Sequence, residues 1–169
     1  MHLVKSTAEL SKAAAYVELH GQLKALFSGE RDGLANTANM AALIHQVLPN
    51  LNWAGFYFLQ GTELVLGPFQ GKPACVRIAM GRGVCGTAAL RRETVIVPDV
   101  HAFPGHIACD AASRSEIVVP LIQQGQLLGV LDLDSPQPGR FDEEDGAGLT
   151  AAVGLLLDSS DFARTLQQL

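Results

Sequence analysis

The strongest constraint on this chain is a short glycine turn between two apolar, β-branched runs. Residues 117–123 and 127–133 are rich in Ile, Val and Leu, and only Gln124-Gly125-Gln126 separates them. A link that short joins antiparallel neighbours, because a parallel pair needs a crossover of about a dozen residues or more. The same signal recurs at Gln60-Gly61-Thr62, between an aromatic-rich run at 52–59 and a strand at 63–66. Shorter strand patterns at 76–79 and 94–97 bring the expected total to about six. Helical periodicity occupies both ends. Tyr16, Leu19, Leu23, Leu26 and Phe27 form a stripe across 7–27, closed by Ser28-Gly29. Met40, Leu43, Ile44 and Val47 form another across 34–48, closed by Pro49-Asn50. A third runs from Phe141 to the C-terminus through Leu149, Val153, Leu156 and Leu157. Residues 81–90 turn from Gly-rich to Ala-rich, a loop feeding a short helix, and 101–115 has no period and reads as a long loop. The fold class is α+β, an antiparallel sheet with the N- and C-terminal helices on one face.

Composition excludes several function classes. The 169 residues suit one domain spanning 1–169, and 48% hydrophobic against 17% charged residues excludes a disordered chain. The formal charge is −5 and no basic run exceeds Arg91-Arg92, so no nucleic-acid partner is expected. No apolar stretch approaches the ~18 residues of a membrane span, and the N-terminus has no signal-peptide core, so a cytoplasmic protein with no membrane contact is expected. There is no P-loop. Gly81-Arg82-Gly83-Val84-Cys85-Gly86 has dinucleotide-like glycine spacing without the strand–helix context that such a site requires.

Three cysteines, Cys75, Cys85 and Cys109, are an odd count for a disulfide framework. In a reducing compartment they are buried hydrophobes, metal ligands or reactive thiols. With His101 or His106 they form a thiolate/imidazole set, but no C-x₂-C pair is present and the spacing is wide, so no metal is expected. Redox thiols fit the context better. Cys109 lies in the long loop with His101, His106 and Asp110, beside apolar Phe103 and Ile107. In Leu131-Asp132-Leu133-Asp134 the strand period puts both carboxylates on one face. A strand with leucines inward and acids in water has the same pattern; acids lining a concave pocket would instead attract a cation and raise one another's pKa. If the two runs flanking Gln124-Gly125 pair, Glu116 lies near Asp132 or Asp134. Trp53 and Tyr57 share one strand face, opposite Phe56 and Phe58, as ordinary core or as an aromatic wall for a small apolar group.

Taken in order, Gly71-Lys72-Pro73-Ala74-Cys75, Gly81-Arg82-Gly83-Val84-Cys85-Gly86-Thr87-Ala88-Ala89 and Val97-Pro98-Asp99-Val100-His101 resemble one family. So do Phe103-Pro104-Gly105-His106-Ile107-Ala108-Cys109-Asp110, Ser113-Arg114-Ser115-Glu116-Ile117-Val118-Val119-Pro120 and Gly129-Val130-Leu131-Asp132-Leu133-Asp134-Ser135. The family is the GAF-domain free methionine-(R)-sulfoxide reductases, and the match runs from about Ala13 to Leu157. The resemblance implies a six-stranded antiparallel GAF sheet with helices on one face and a ligand pocket on the other. It implies reduction of free L-methionine-(R)-sulfoxide, an oxidoreductase reaction on sulfur with a disulfide as acceptor, in oxidative-stress defence. Cys109 resembles the nucleophile, Cys75 the recycling thiol and Cys85 a second or alternative one. Glu116, Asp132 and Asp134 resemble the substrate-binding and acid residues, and Trp53 and Tyr57 the pocket wall. The substrate carboxylate would meet backbone N–H groups, with the loop around Cys109 a candidate. No bound cofactor is implied; reducing equivalents would come from thioredoxin and NADPH through thioredoxin reductase, and the protein would be a homodimer. The competing class is a non-catalytic GAF sensor of a small molecule or redox state. Such a module usually sits beside an output domain, for which this length leaves no room.

Overall fold

Among the described residues, six strands and four full α-helices follow one another: α1 (Lys12–Phe27), α2 (Gly33–Val47), β1 (Trp53–Gln60), β2 (Glu63–Gly71), β3 (Arg77–Ala79), α3 (Gly83–Arg91), β4 (Val95–Val97), β5 (Ser115–Gln123), β6 (Gln126–Ser135) and α4 (Glu143–Ser159). A 3₁₀ turn, Val100–Ala102, lies between β4 and β5. The structure is a computed structural model describing Val4, Thr7 and residues 9–105 and 110–163. The strands form one sheet in the order β3-β2-β1-β6-β5-β4, and every pairing is antiparallel. The β5–β6 turn closes with Gln124 at φ 51° and Gly125 at φ 77°. Two successive left-handed residues give the backbone twist a tight hairpin needs, and glycine adopts that region at no steric cost.

The sheet separates two cores. On one face Ala54, Phe56, Phe58, Ile117, Val119, Leu121, Leu131 and Leu133 pack beneath α1, α2 and α4. On the other, Trp53, Tyr57, Val118 and Val130 meet Val84, Cys85, Ala88 and Ala89 of α3. Period-2 alternation along β1, β5 and β6 serves both at once, since adjacent residues point to opposite faces.

Several boundaries differ from the sequence reading by one or more residues, and four of the differences have a clear cause or consequence. Helix α1 starts at Lys12 rather than Thr7, because the Ser11 side chain caps it by accepting from the Ala14 N–H, and the Thr7 hydroxyl donates to the Val47 carbonyl instead. Strand β2 continues to Gly71 rather than Leu66. A bulge on β2, where Gly67 and Pro68 stand opposite the single Phe56 of β1, lets the ladder resume from Phe69 to Gly71. Strand β5 begins at Ser115, which brings Glu116 inside the sheet. Helix α4 stops at Ser159, beyond which the Asp161 N–H donates to the Arg31 carbonyl at 2.8 Å.

A polar cluster locks α1 to α4. Asp145, wholly buried, accepts from the Tyr16 hydroxyl at 2.9 Å and pairs with Lys12 at 2.5 Å and Arg140 at 3.0 Å. It also closes a capping box with Asp142 at the α4 N-terminus.

Candidate active site

Strand register assembles the acidic residues. Asp134 on β6 stands between Trp53 of β1 and Glu116 of β5, and one pair along Asp132 stands between Gly55 and Val118. The two-residue period therefore turns Glu116, Asp132 and Asp134 to the face away from the large helices. Gly55 is required there: a Cβ would lie 2.6 Å from the Trp53 ring and closer still to Phe69. Its absence lets Trp53 lie flat, stacked on Phe69 at 5.4 Å and on Tyr57 at 5.9 Å between ring centroids.

Helix α3 covers the acids. Its first turn supplies Gly83, Val84 and Cys85, and the N-cap Arg82 makes no side-chain capping bond. The Cys85 Sγ lies 4.0 Å from Glu116 Oε1. The polar ends of the aromatic pair hold a second cover. Trp53 Nε1–H donates to the Lys72 carbonyl and the Tyr57 hydroxyl to the Cys75 carbonyl, both at 3.1 Å. Lys72 then pairs with Asp110 at 3.2 Å, while Asn52 donates to Asp110 and to Ser113 at 3.3 and 3.0 Å. The segments before Cys75 and after Cys109 are thereby linked across the mouth of a cavity of about 560 Å³, its solvent-open part included.

Electrostatics in this cavity favour neutral forms. Burial, then the charges of Asp132 and Asp134, push Glu116 well above the usual carboxyl range. Burial and the neighbouring Asp132 do the same to Asp134 against a hydrogen bond from Ser113. Burial raises Asp132 to about 7, with hydrogen bonds from Cys85 and Glu116 acting in the opposite direction. Cys85 is held as a thiol by burial and by the charges of Asp132 and Glu116. The buried Asp132 Oδ1 has no hydrogen-bond partner among the described residues. Since a buried polar atom without a partner costs about 1–3 kcal/mol, that oxygen suits a ligand donor.

Trp53, Tyr57, Cys85, Glu116, Asp132 and Asp134 all line the cavity. Cys75 is half-buried and does not itself line the cavity; its neighbour Ala74 does, and the Cys75 carbonyl accepts from the Tyr57 hydroxyl. Cys109 and His106 lie outside the described residues; Asp110, next in the chain to Cys109, lines the cavity. His101 is exposed on the 3₁₀ turn. Sequence reasoning missed Lys72 and Ser113 as cavity-lining groups and Asn52 as the residue that ties Asp110 to Ser113. Each adjoins or belongs to a recognised motif, but the hydrogen bonds linking them span up to 61 positions.

A six-stranded antiparallel sheet with helices on one face and a covered pocket on the other is the architecture of a GAF domain. A GAF-domain profile matches residues 3–156, and the chain belongs to the GAF domain family. Free methionine-R-sulfoxide reductase of Escherichia coli (strain K12) is 54% identical over 158 residues, covering 92% of this chain and 96% of that protein. The protein of the same name from Saccharomyces cerevisiae is 43% identical over 167 residues, covering 94% and 93%. The X-ray structure of free methionine-R-sulfoxide reductase from Neisseria meningitidis in complex with its substrate superposes with a TM-score of 0.91 at 44% identity, covering all of both chains.

Proposed function

We propose that this protein reduces free methionine-R-sulfoxide to methionine, with the cavity beneath α3 as its active site. The observation that carries the reading is a carboxylate trio beside an aromatic wall, Glu116 and Asp132 buried and Asp134 half-buried, in a chain closely similar to reductases of that name. The Trp53–Tyr57 surface suits the substrate methyl group. The acids suit its ammonium, and Asp132 Oδ1 offers a buried acceptor for one of its N–H groups. Among the described residues, the first-turn N–H groups of α3 at Gly83 and Val84 suit its carboxylate, as helix N-termini bind anions. A site that satisfies both free termini excludes a residue within a peptide.

The chemistry follows from thiol and carboxyl reactivity. The Cys109 thiolate attacks the sulfoxide sulfur while a pocket carboxyl protonates its oxygen; that oxygen then passes to the cysteine sulfur as the new S–S bond breaks, releasing methionine and leaving Cys109 as a sulfenic acid. A carboxyl raised well above its ordinary range keeps its proton near neutrality, and general acid catalysis of this kind contributes ~10²–10⁴ in rate. A second thiol displaces the sulfenic oxygen as water and forms a disulfide. Cys75, half-buried next to the cavity-lining Ala74, suits that step better than Cys85, which burial and two carboxylates hold protonated. Two electrons from a dithiol then restore both thiols. Thioredoxin, recharged by NADPH through thioredoxin reductase, fits this exchange. No described helix is long and apolar enough to cross a membrane, in keeping with a cytoplasmic setting. The reading includes one GAF domain over residues 1–169 and a homodimer, which sedimentation tests directly.

Single-turnover release of methionine without external reductant tests the assignment. The R epimer should yield about one equivalent, the S epimer and the N-acetylated substrate none. Cys109→Ser should abolish release, whereas Cys75→Ser should retain it and fail to form the disulfide. Full release by Cys109→Ser would refute the thiol assignment, and consumption of the acetylated substrate would refute the recognition of free termini.

A further inference from the structure

Cys85, Glu116 and Asp132 come from three different elements, α3, β5 and β6, and meet at the cavity floor. One donor atom from each lies within 4.8 Å of the other two, and all three residues are buried. We propose that these residues form a site for a soft divalent cation of the Zn²⁺ or Cd²⁺ class, which competes with free methionine sulfoxide for the cavity. Donors around a tetrahedral zinc stand roughly 3.5 Å apart, so closure needs movements of about 1 Å or less per side chain. A second observation points the same way: the buried Asp132 Oδ1 has no partner among the described residues and belongs to the same cluster.

The donor set selects the metal. One sulfur and two carboxylates suit a borderline-soft ion of low coordination number, with a fourth position left for water or an incoming ligand. Mg²⁺ and Ca²⁺ demand about six or more oxygen ligands, which this floor does not assemble. Electrostatics agree with the geometry: acids that raise one another's pKa are the groups that gain most from a shared cation, which displaces their protons and the thiol proton. The set differs from the wide Cys/His combination visible along the chain. Only folding brings Cys85 against acids 31 and 47 positions away. A cation here and the substrate ammonium would draw on the same Asp132 and Glu116 oxygens, so their binding is mutually exclusive. The competition rests on the proposed function, whereas the metal site does not, since metal binding requires no turnover.

The test uses the full chain carrying Cys75→Ser and Cys109→Ser, which leaves Cys85 as its only thiol and cannot perform redox chemistry. Titration with Cd²⁺, in protein freed of reductant, is followed by the ultraviolet thiolate-to-metal charge-transfer band. The band should saturate at about one Cd²⁺ per chain, and excess Mg²⁺ should not displace it. Free methionine sulfoxide should erase it. Adding Asp132→Asn should weaken Cd²⁺ affinity by at least ~10-fold, with thermal melts confirming the fold. Absence of the band in the single-thiol protein, an unchanged affinity in Asp132→Asn, or a band indifferent to methionine sulfoxide would each overturn the proposal. A protein that binds Cd²⁺ as expected but releases no methionine as the unsubstituted chain would instead refute the reductase reading alone.

Discussion

Acids stand on both sides of the sheet, Asp145 in the helical layer and Glu116, Asp132 and the half-buried Asp134 beneath α3, and the two sides treat them in opposite ways. Asp145, under the large helices, is fully buried and surrounded by donors: Tyr16, Lys12, Arg140 and the Asp142 N–H. Glu116, Asp132 and Asp134, under α3, are gathered so that their charges repel one another. The first arrangement satisfies a charge at its own site. The second holds acids in a state that only an added proton or cation relieves. Buried acids matched to donors serve the fold, and buried acids matched to one another serve a ligand.

Breaking the donor-matched cluster should have the largest effect. Asp145→Ala leaves Lys12 and Arg140 facing an empty site and should cost about 3–5 kcal/mol in urea unfolding. Asp145→Asn, in whatever fraction remains folded, should keep kcat/KM within about twofold. Next comes the catalytic arm. Asp132→Asn should lower kcat/KM by about 10²-fold, or about 3 kcal/mol, with the split between KM and the reductive rate reporting whether it binds the ammonium or donates the proton. Unchanged kinetics would make the pocket acids structural as well.

The third effect concerns stability and pH, with opposite signs for the two clusters. Asp132 titrates near 7 in the folded protein and about 3.8 unfolded, so its contribution is present at low pH and lost as pH rises through 7. Its charge is then a liability, and Asp132→Asn should be more stable than the unsubstituted protein at pH 8 by about 1–3 kcal/mol, the advantage vanishing at pH 4. Asp142 is lowered to about 2, chiefly by its hydrogen bond from Lys12. Its contribution is present above about pH 4 and lost as pH falls through 2. Lys12→Met should therefore cost about 1 kcal/mol at neutral pH and shift the acid-unfolding midpoint upward. The smallest effect belongs to the mouth of the cavity. Lys72→Met removes an exposed ion pair with Asp110, and it should leave the thermal midpoint nearly unchanged while making KM less sensitive to salt.

The sequence carried what depends on local rules. Short glycine turns dictated antiparallel neighbours, period-2 alternation separated Phe56 and Phe58 from Trp53 and Tyr57, and helical stripes at the ends marked the layer that covers one face. The same alternation turned Asp132 and Asp134 together, and the motifs around them identified the family. Element ends were less legible, because Thr7 is recruited by a carbonyl forty positions away and β2 continues past a bulge at Gly67-Pro68. What only tertiary structure decided is the depth and company of each polar group. Asp145 closes an acidic run at the start of α4 and Asp132 alternates with leucines on β6, but neither pattern shows which partners the acid will meet. One meets Lys12 and Arg140, the other Cys85 and Glu116, because sheet register and helix packing bring distant residues within hydrogen-bond reach. Charge state follows from dielectric surroundings and neighbours, and both are properties of the assembled fold.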